Sequence, residues 1–208
     1  LIMTVIPVLL STTLYNLSAI VDQGIFKNVA HLQGYTADEI HVFWGVFGGK
    51  YRVLVNVPIS IASAVVSASV PAITSSFAKR DMNSVHKKTE NAIQYSMVVA
   101  FPCAIGLGVL ASPVMQLLFH DSSALAAQML QVGVVSVVFY SLSTLSNGIL
   151  QGINRMKVPV INAGLALALQ AGLLYALMQV LDLNIFAVIW ANTFFAFAMC
   201  ILNGIGSY

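Results

Sequence analysis

Trp44–Arg80 reads WGVFGGKYRVLVNVPISIASAVVSASVPAITSSFAKR, and its character decides the fold. From Val53 to Ala78 it runs 26 residues without a charge. Crossing a hydrocarbon core of ~30 Å takes about 20 apolar residues in a helix, so this stretch spans a membrane with length to spare. Tilt, or a kink at Pro58 or Pro71, accommodates the excess. Two cations, Lys50 and Arg52, stand at its start, and a basic pair, Lys79 and Arg80, closes it. A cation at membrane depth is expensive and marks a pathway or a binding site.

The rest of the chain has the same character. Hydrophobic residues make up 59% of the 208 and charged residues 8%, against about 25% charged in a soluble domain. That is too little charge to coat a soluble globule. The expected fold class is an all-α integral membrane protein, a six-helix transmembrane bundle. Its apolar runs are continuous rather than alternating, which argues against a β-barrel. Spans are expected at about 1–26, 44–78, 92–119, 124–153, 159–181 and 185–205. Pro7 lies in the first, Pro102 and Pro113 in the third, and Pro159 opens the fifth. The chain starts without Met or a charged leader, unlike a signal peptide, and Gly204–Tyr208 reads as a cut helix end. It is therefore expected to be a piece of a longer protein.

The links between spans sort by charge. Lys79–Glu90 and Asn154–Lys157 hold six of the nine basic residues. The other three links hold Asp38, Glu39, Asp121 and Asp182 against Lys27 alone. The positive-inside rule puts residues 79–91 and 154–158, with both chain ends, in the cytoplasm. Lys50 and Arg52 then fall in the outer half of the membrane. Thr36-Ala-Asp-Glu39 fits a capping box that starts a short helix before the second span.

Lys50 and Arg52 are two residues apart and point about 200° from each other on a helix, unless Gly48-Gly49 unwinds it. Either both snorkel to the headgroups, or at least one faces a water-filled cavity and meets an anion. Arg52 is the better anion ligand, because its planar fork grips phosphate oxygens in pairs. Asp22 is the one carboxylate inside an apolar run. It reads as a solvated helix-end charge, a partner of Lys50 or Arg52, or a cation ligand. Ser60, Ser63, Ser67, Pro71 and Thr74 recur at helical spacing and form either a packing face or a hydroxyl-lined cavity. Cys103 and Cys200 read as small buried hydrophobes, and the four histidines have no ligand spacing. No nucleophile–base pair, phosphate loop or metal motif supports an enzyme, and neither a cofactor nor a nucleic-acid partner is expected.

Three blocks together carry a resemblance: VNVPISIASAVVSASVPAITSSFAKRD (Val55–Asp81), FPCAIGLGVLASPVMQLLF (Phe101–Phe119) and GILQGINRMKVPVIN (Gly148–Asn162). In this order and spacing they resemble the lipid flippases of the MOP superfamily, of the MurJ and stage V sporulation protein B type. The resemblance implies helices seven to twelve of fourteen, one lobe of a pseudo-symmetric MOP/MATE-like transporter whose N-terminal lobe is missing here. It implies a cavity alternating between the two sides of a bacterial plasma membrane. There, basic residues would hold the pyrophosphate of an undecaprenyl-linked oligosaccharide such as lipid II, among membrane lipids. The implied substrate-binding residues are Arg52, six before Pro58 and one residue off the family spacing, and Lys50. Some relatives resemble sodium-coupled transporters, so sodium or membrane-potential coupling is implied at Asp22, Gln170 and Asn192. Leu174 stands near the place of a second carboxylate expected there. A multidrug/cation antiporter of the same superfamily and a non-transporting scaffold for envelope or spore assembly are the rival readings.

Overall fold

The computed structural model describes the backbone from Ile2 to Gly206, with the side chains of Thr13 and of residues 16–206. Leu1, the Pro7 side chain and Ser207–Tyr208 lie outside the described residues. The elements are α1 (Ile2–Leu32), α2 (Ala37–Val46), a π turn (Phe47–Tyr51), α3 (Arg52–Ala78) and α4 (Met82–Val109). Then come α5 (Ala111–Phe119), α6 (Ala124–Gly133), α7 (Val135–Gly152), α8 (Lys157–Leu181) and α9 (Ile185–Gly206). They make six columns: α1, α2–α3, α4–α5, α6–α7, α8 and α9. Four helical stretches are long and apolar enough to cross a membrane, and the α6–α7 pair, bent by 43°, makes a fifth. The first expected span, α1, falls largely on residues whose side chains lie outside the described set.

Several helices run further than the apolar runs suggest, and capping explains why. α1 continues through Lys27 to Leu32, where Gly34 takes φ +89° and Tyr35 N–H reaches back to the Ala30 carbonyl at 3.1 Å. This is a Schellman ending, which glycine permits at little steric cost. The expected capping box forms: Glu39 N–H donates to Thr36 Oγ1 (3.3 Å) and Thr36 N–H to Glu39 Oε2 (2.8 Å). From there one helical column runs 42 residues, Ala37–Ala78. The expected basic loop 79–91 is corrected to a turn at Lys79–Asp81, because Asp81 accepts the Ser84 N–H at 3.0 Å and starts α4 at Met82. Lys87, Lys88 and Glu90 therefore lie on a helix.

Two expected spans are broken. α4 stops at Val109 and α5 restarts at Ala111, with Pro113 in its first turn. The proline has no N–H to give and its ring crowds the carbonyl four residues back, which is that of Val109. The break between α6 and α7 falls at Val134, beside the Tyr51 ring. A Cβ on Gly133 would sit 2.2 Å from that ring, so only glycine allows the approach.

In the bundle α8 packs between α1 and α9, α9 on α7, and α7 on α3 and α4. α9 is innermost, with Ile185, Ala187, Val188, Ile189 and Ala191 all at 0% exposure. Gly148 and Gly152 let α7 approach α3, where added Cβ atoms would meet Val66 at 2.3 Å and Val70 at 2.8 Å. On α3, Ser60, Ser67 and Thr74 are exposed and Ser63 is half-buried. Ser60, Ser63, Ser67 and Thr74 donate to the carbonyls of Asn56, Ile59, Ser63 and Val70, four residues back, at 2.8–3.1 Å. The hydroxyls are satisfied by their own helix, as serine and threonine within a helix can be.

Candidate functional site

Gln170 sits mid-way along α8 and Asn192 in the second turn of α9, both against the Asp22 face of α1. Asp22 is 2% exposed. Gln170 Nε2 donates to Asp22 Oδ1 (2.8 Å) and Oδ2 (3.0 Å), and Asn192 Nδ2 donates to Oδ2 (2.7 Å). The two amide oxygens face outward: Gln170 Oε1 accepts from Ser18 Oγ at 2.9 Å, and Asn192 Oδ1 from the Tyr140 hydroxyl at 3.1 Å. Three residues far apart in the chain thus meet around one carboxylate. Among the described residues Asp22 has no cation within ion-pair distance; Lys50 pairs elsewhere, and Arg52 acts on the carboxylate through space rather than in a direct salt bridge.

A cavity of about 210 Å³ opens beside this cluster. Ser18 of α1, Phe47 of the π turn, Arg52 and Asn56 of α3, Tyr140 of α7 and Asn192 of α9 line it. Ser18, Tyr140 and Asn192 belong to both the cavity and the carboxylate's hydrogen-bond network. Among the described residues Arg52 is the one charged member of the lining. Its guanidinium lies 5.8 Å from the Phe47 ring centroid, and Phe47 stacks on Tyr51 at 5.4 Å. Exposed and backed by an aromatic face, Arg52 is free to take an anion in the cavity.

Lys50 goes elsewhere. Its Nζ pairs with Asp121 Oδ2 in the link between α5 and α6, with side chains 29% and 13% exposed. Asp121 Oδ1 also accepts the Ser123 N–H at 2.8 Å. The Lys50 ammonium and the Ser123 groups hold the Asp121 carboxyl down at about 2. The structure therefore brings Asp22, Gln170 and Asn192 together, places Arg52 beside them, and turns Lys50 to a partner of its own. Ser18, Tyr51 and Tyr140 escaped the sequence reading. Ser18 lies one turn before Asp22 on the same helix face, and that i, i+4 spacing was the available signal.

The sodium site implied by the resemblance meets a mixed donor set here. A hard cation takes a ring of oxygens. Around Asp22 the amides present N–H groups, and their oxygens are engaged by Ser18 and Tyr140. In this arrangement the cluster is closed on itself and does not fit sodium; both amides would have to turn over first.

The chain superposes on a MOP superfamily transporter from Pyrococcus furiosus, with a TM-score of 0.69 at 16% identity, covering 98% of this chain and 42% of that one. The fold is thus that of a MOP-type membrane transporter. Residues 51–203 match the family of the lipid II flippase MurJ, and the chain belongs to that family. A probable lipid II flippase MurJ of Bdellovibrio bacteriovorus is 27% identical over 133 residues, 61% of this chain and 25% of its own length. Lipid II flippase MurJ of Bacillus subtilis is 28% identical over 112 residues, 52% of this chain and 21% of its own. The matched regions span about a quarter of each relative's length or less.

Proposed function

We propose that this chain is one lobe of a flippase that moves an undecaprenyl-pyrophosphate-linked saccharide, of the lipid II class, from the inner to the outer leaflet of a bacterial plasma membrane. The observation that carries this reading is Arg52, the single charged residue among those described as lining the cavity, inside the segment that matches the MurJ family. Its guanidinium holds the pyrophosphate while the saccharide crosses by alternating access between this lobe and its N-terminal counterpart. The lobe binds and carries its substrate and catalyses no bond change. An organic-cation antiporter would need acids facing its cavity, and this lining holds none among the described residues.

In the proposed orientation the turns at Lys79–Asp81 and Asn154–Met156 face the cytoplasm, as the positive-inside rule directs. Arg52 and Asp22 then lie in the outer half of the membrane. Coupling to the membrane potential acts at Asp22, a buried carboxylate with no ion-paired cation among the described residues and Arg52 acting on it through space. The decisive experiment is complementation. Arg52→Ala in the full-length protein is expected to insert normally and to fail to support growth of a flippase-depleted strain. Full growth would sink the cavity role.

A further inference from the structure

Arg52 owes its direction to the turn before it. A π turn holds one residue more than the α ladder, so it rotates everything after it by about 100° relative to what came before. Relaxed to an α turn, Phe47–Tyr51 would carry Arg52 off the cavity wall. Two consecutive side chains keep the turn as it is. Lys50 pairs with Asp121, which itself accepts the N–H of Ser123, the cap of α6. Tyr51 donates its hydroxyl to the Gly133 carbonyl at 3.3 Å and shares a hydrogen bond with Ser136 Oγ at 3.2 Å. Residues 50 and 51 therefore hold α6 at its two ends, and residue 52 faces the cavity.

Gly48 and Gly49 complete the device. A Cβ on either would meet nothing within 4 Å among the described residues, so packing within this lobe does not require them to be small. What two adjacent glycines do is weaken the helix, by about 1 kcal/mol each relative to alanine. A turn made easy to rewind needs an external hold, and the ion pair supplies it.

We propose that Lys50 and Asp121 form a latch that fixes the π turn and so aims Arg52 into the cavity. Lys50 is a positioning residue for the anion site and not a second ligand of the anion. This rests on the reading of Arg52 as the anion's ligand. Releasing the latch lets the glycine pair rewind and turns the guanidinium away, which ties anion affinity to the hold on α6.

The test is calorimetric titration of inorganic pyrophosphate into the full-length protein in nanodiscs, with melting temperatures read alongside. Arg52→Ala is expected to remove binding. Lys50→Ala and Asp121→Asn are each expected to weaken it about tenfold or more, the scale of a misplaced binding group. Lys50→Arg keeps the pair and stays within about twofold, and the reversed pair, Lys50→Asp with Asp121→Lys, recovers to within about threefold. A directly liganding Lys50 gives the opposite pattern: Asp121→Asn frees it and keeps or raises affinity, while the reversed pair loses binding. That pattern overturns the latch, as does unchanged affinity in both single variants. Unchanged binding in Arg52→Ala overturns the Arg52 reading and the latch with it. If Lys50→Ala does not fold, the reversed pair decides alone: recovery supports the latch and loss overturns it.

Discussion

Two polar clusters tie α8 and α9 together, and they differ by one charge. Towards the ends of α7 and α9, Asn162 Nδ2 donates to Asn203 Oδ1 at 2.8 Å. Asn203 Nδ2 in turn donates to Asn147 Oδ1 (2.7 Å) and Ser146 Oγ (3.0 Å). Asn203 is fully buried, and every group in that cluster is neutral. The second cluster uses the same amide chemistry from Gln170 and Asn192 but closes it around Asp22. A neutral amide network is complete once its hydrogen bonds are made, and then it only holds helices together. A buried carboxylate with full hydrogen bonding still carries a charge, and here no cation is paired directly with it among the described residues, Arg52 acting only through space. The first cluster reads as architecture; for the second, beside the cavity of Arg52, the working role is the one proposed above.

The most severe way to break the comparison is to make the clusters alike. Asp22→Asn keeps the shape and removes the charge, so the melting temperature is expected to hold or rise while lipid II transport in proteoliposomes falls to background. Transport by Asp22→Ala that kept full sodium and potential dependence would remove Asp22 from coupling altogether. The converse change is Asn203→Leu, which removes the Asn203 acceptor of Asn162 and the Asn203 donor to Asn147. It is expected to destabilise by about 1–2 kcal/mol, read by unfolding in bilayers, with transport per folded molecule unchanged. Lost transport at full stability would erase the distinction between the two clusters.

The smallest effect comes from a third carboxylate, one whose charge is balanced. Asp121 titrates at about 2 in the fold against an ordinary 3.8. A depressed value means the stabilisation is complete above the ordinary value and is lost as pH falls through the folded one. The Lys50–Asp121 contribution to pyrophosphate affinity is therefore expected to be flat above about pH 5 and to fade only in strong acid. The check is to compare the pH profiles of the parent protein and Asp121→Asn; a difference that varied near neutral pH would contradict the balanced pair.

Membrane class and most spans were legible because an apolar run long enough to cross lipid has few other fates. The polar residues Asp22, Gln170 and Asn192 stood out for the same reason, since each interrupts such a run. Element ends were less legible. Lys27 and Lys87 look like loop residues by charge, yet Gly34 and Asp81 set the true helix boundaries through cap geometry. Lys50 was the hardest to read: its partner Asp121 lies 71 positions away, and nothing local announces the pair.

The sequence by itself determined that the chain lives in a membrane, where most of its apolar spans lie, and which few residues are too polar for their surroundings. Those follow from transfer energies that each residue meets wherever it is placed. Only the tertiary structure decided that Asp22 is enclosed by amides rather than by a cation, and that Arg52 faces the cavity while Lys50 turns to Asp121. Such outcomes depend on helix rotation. At about 100° per residue, one added residue at Phe47–Tyr51 redirects every side chain that follows it.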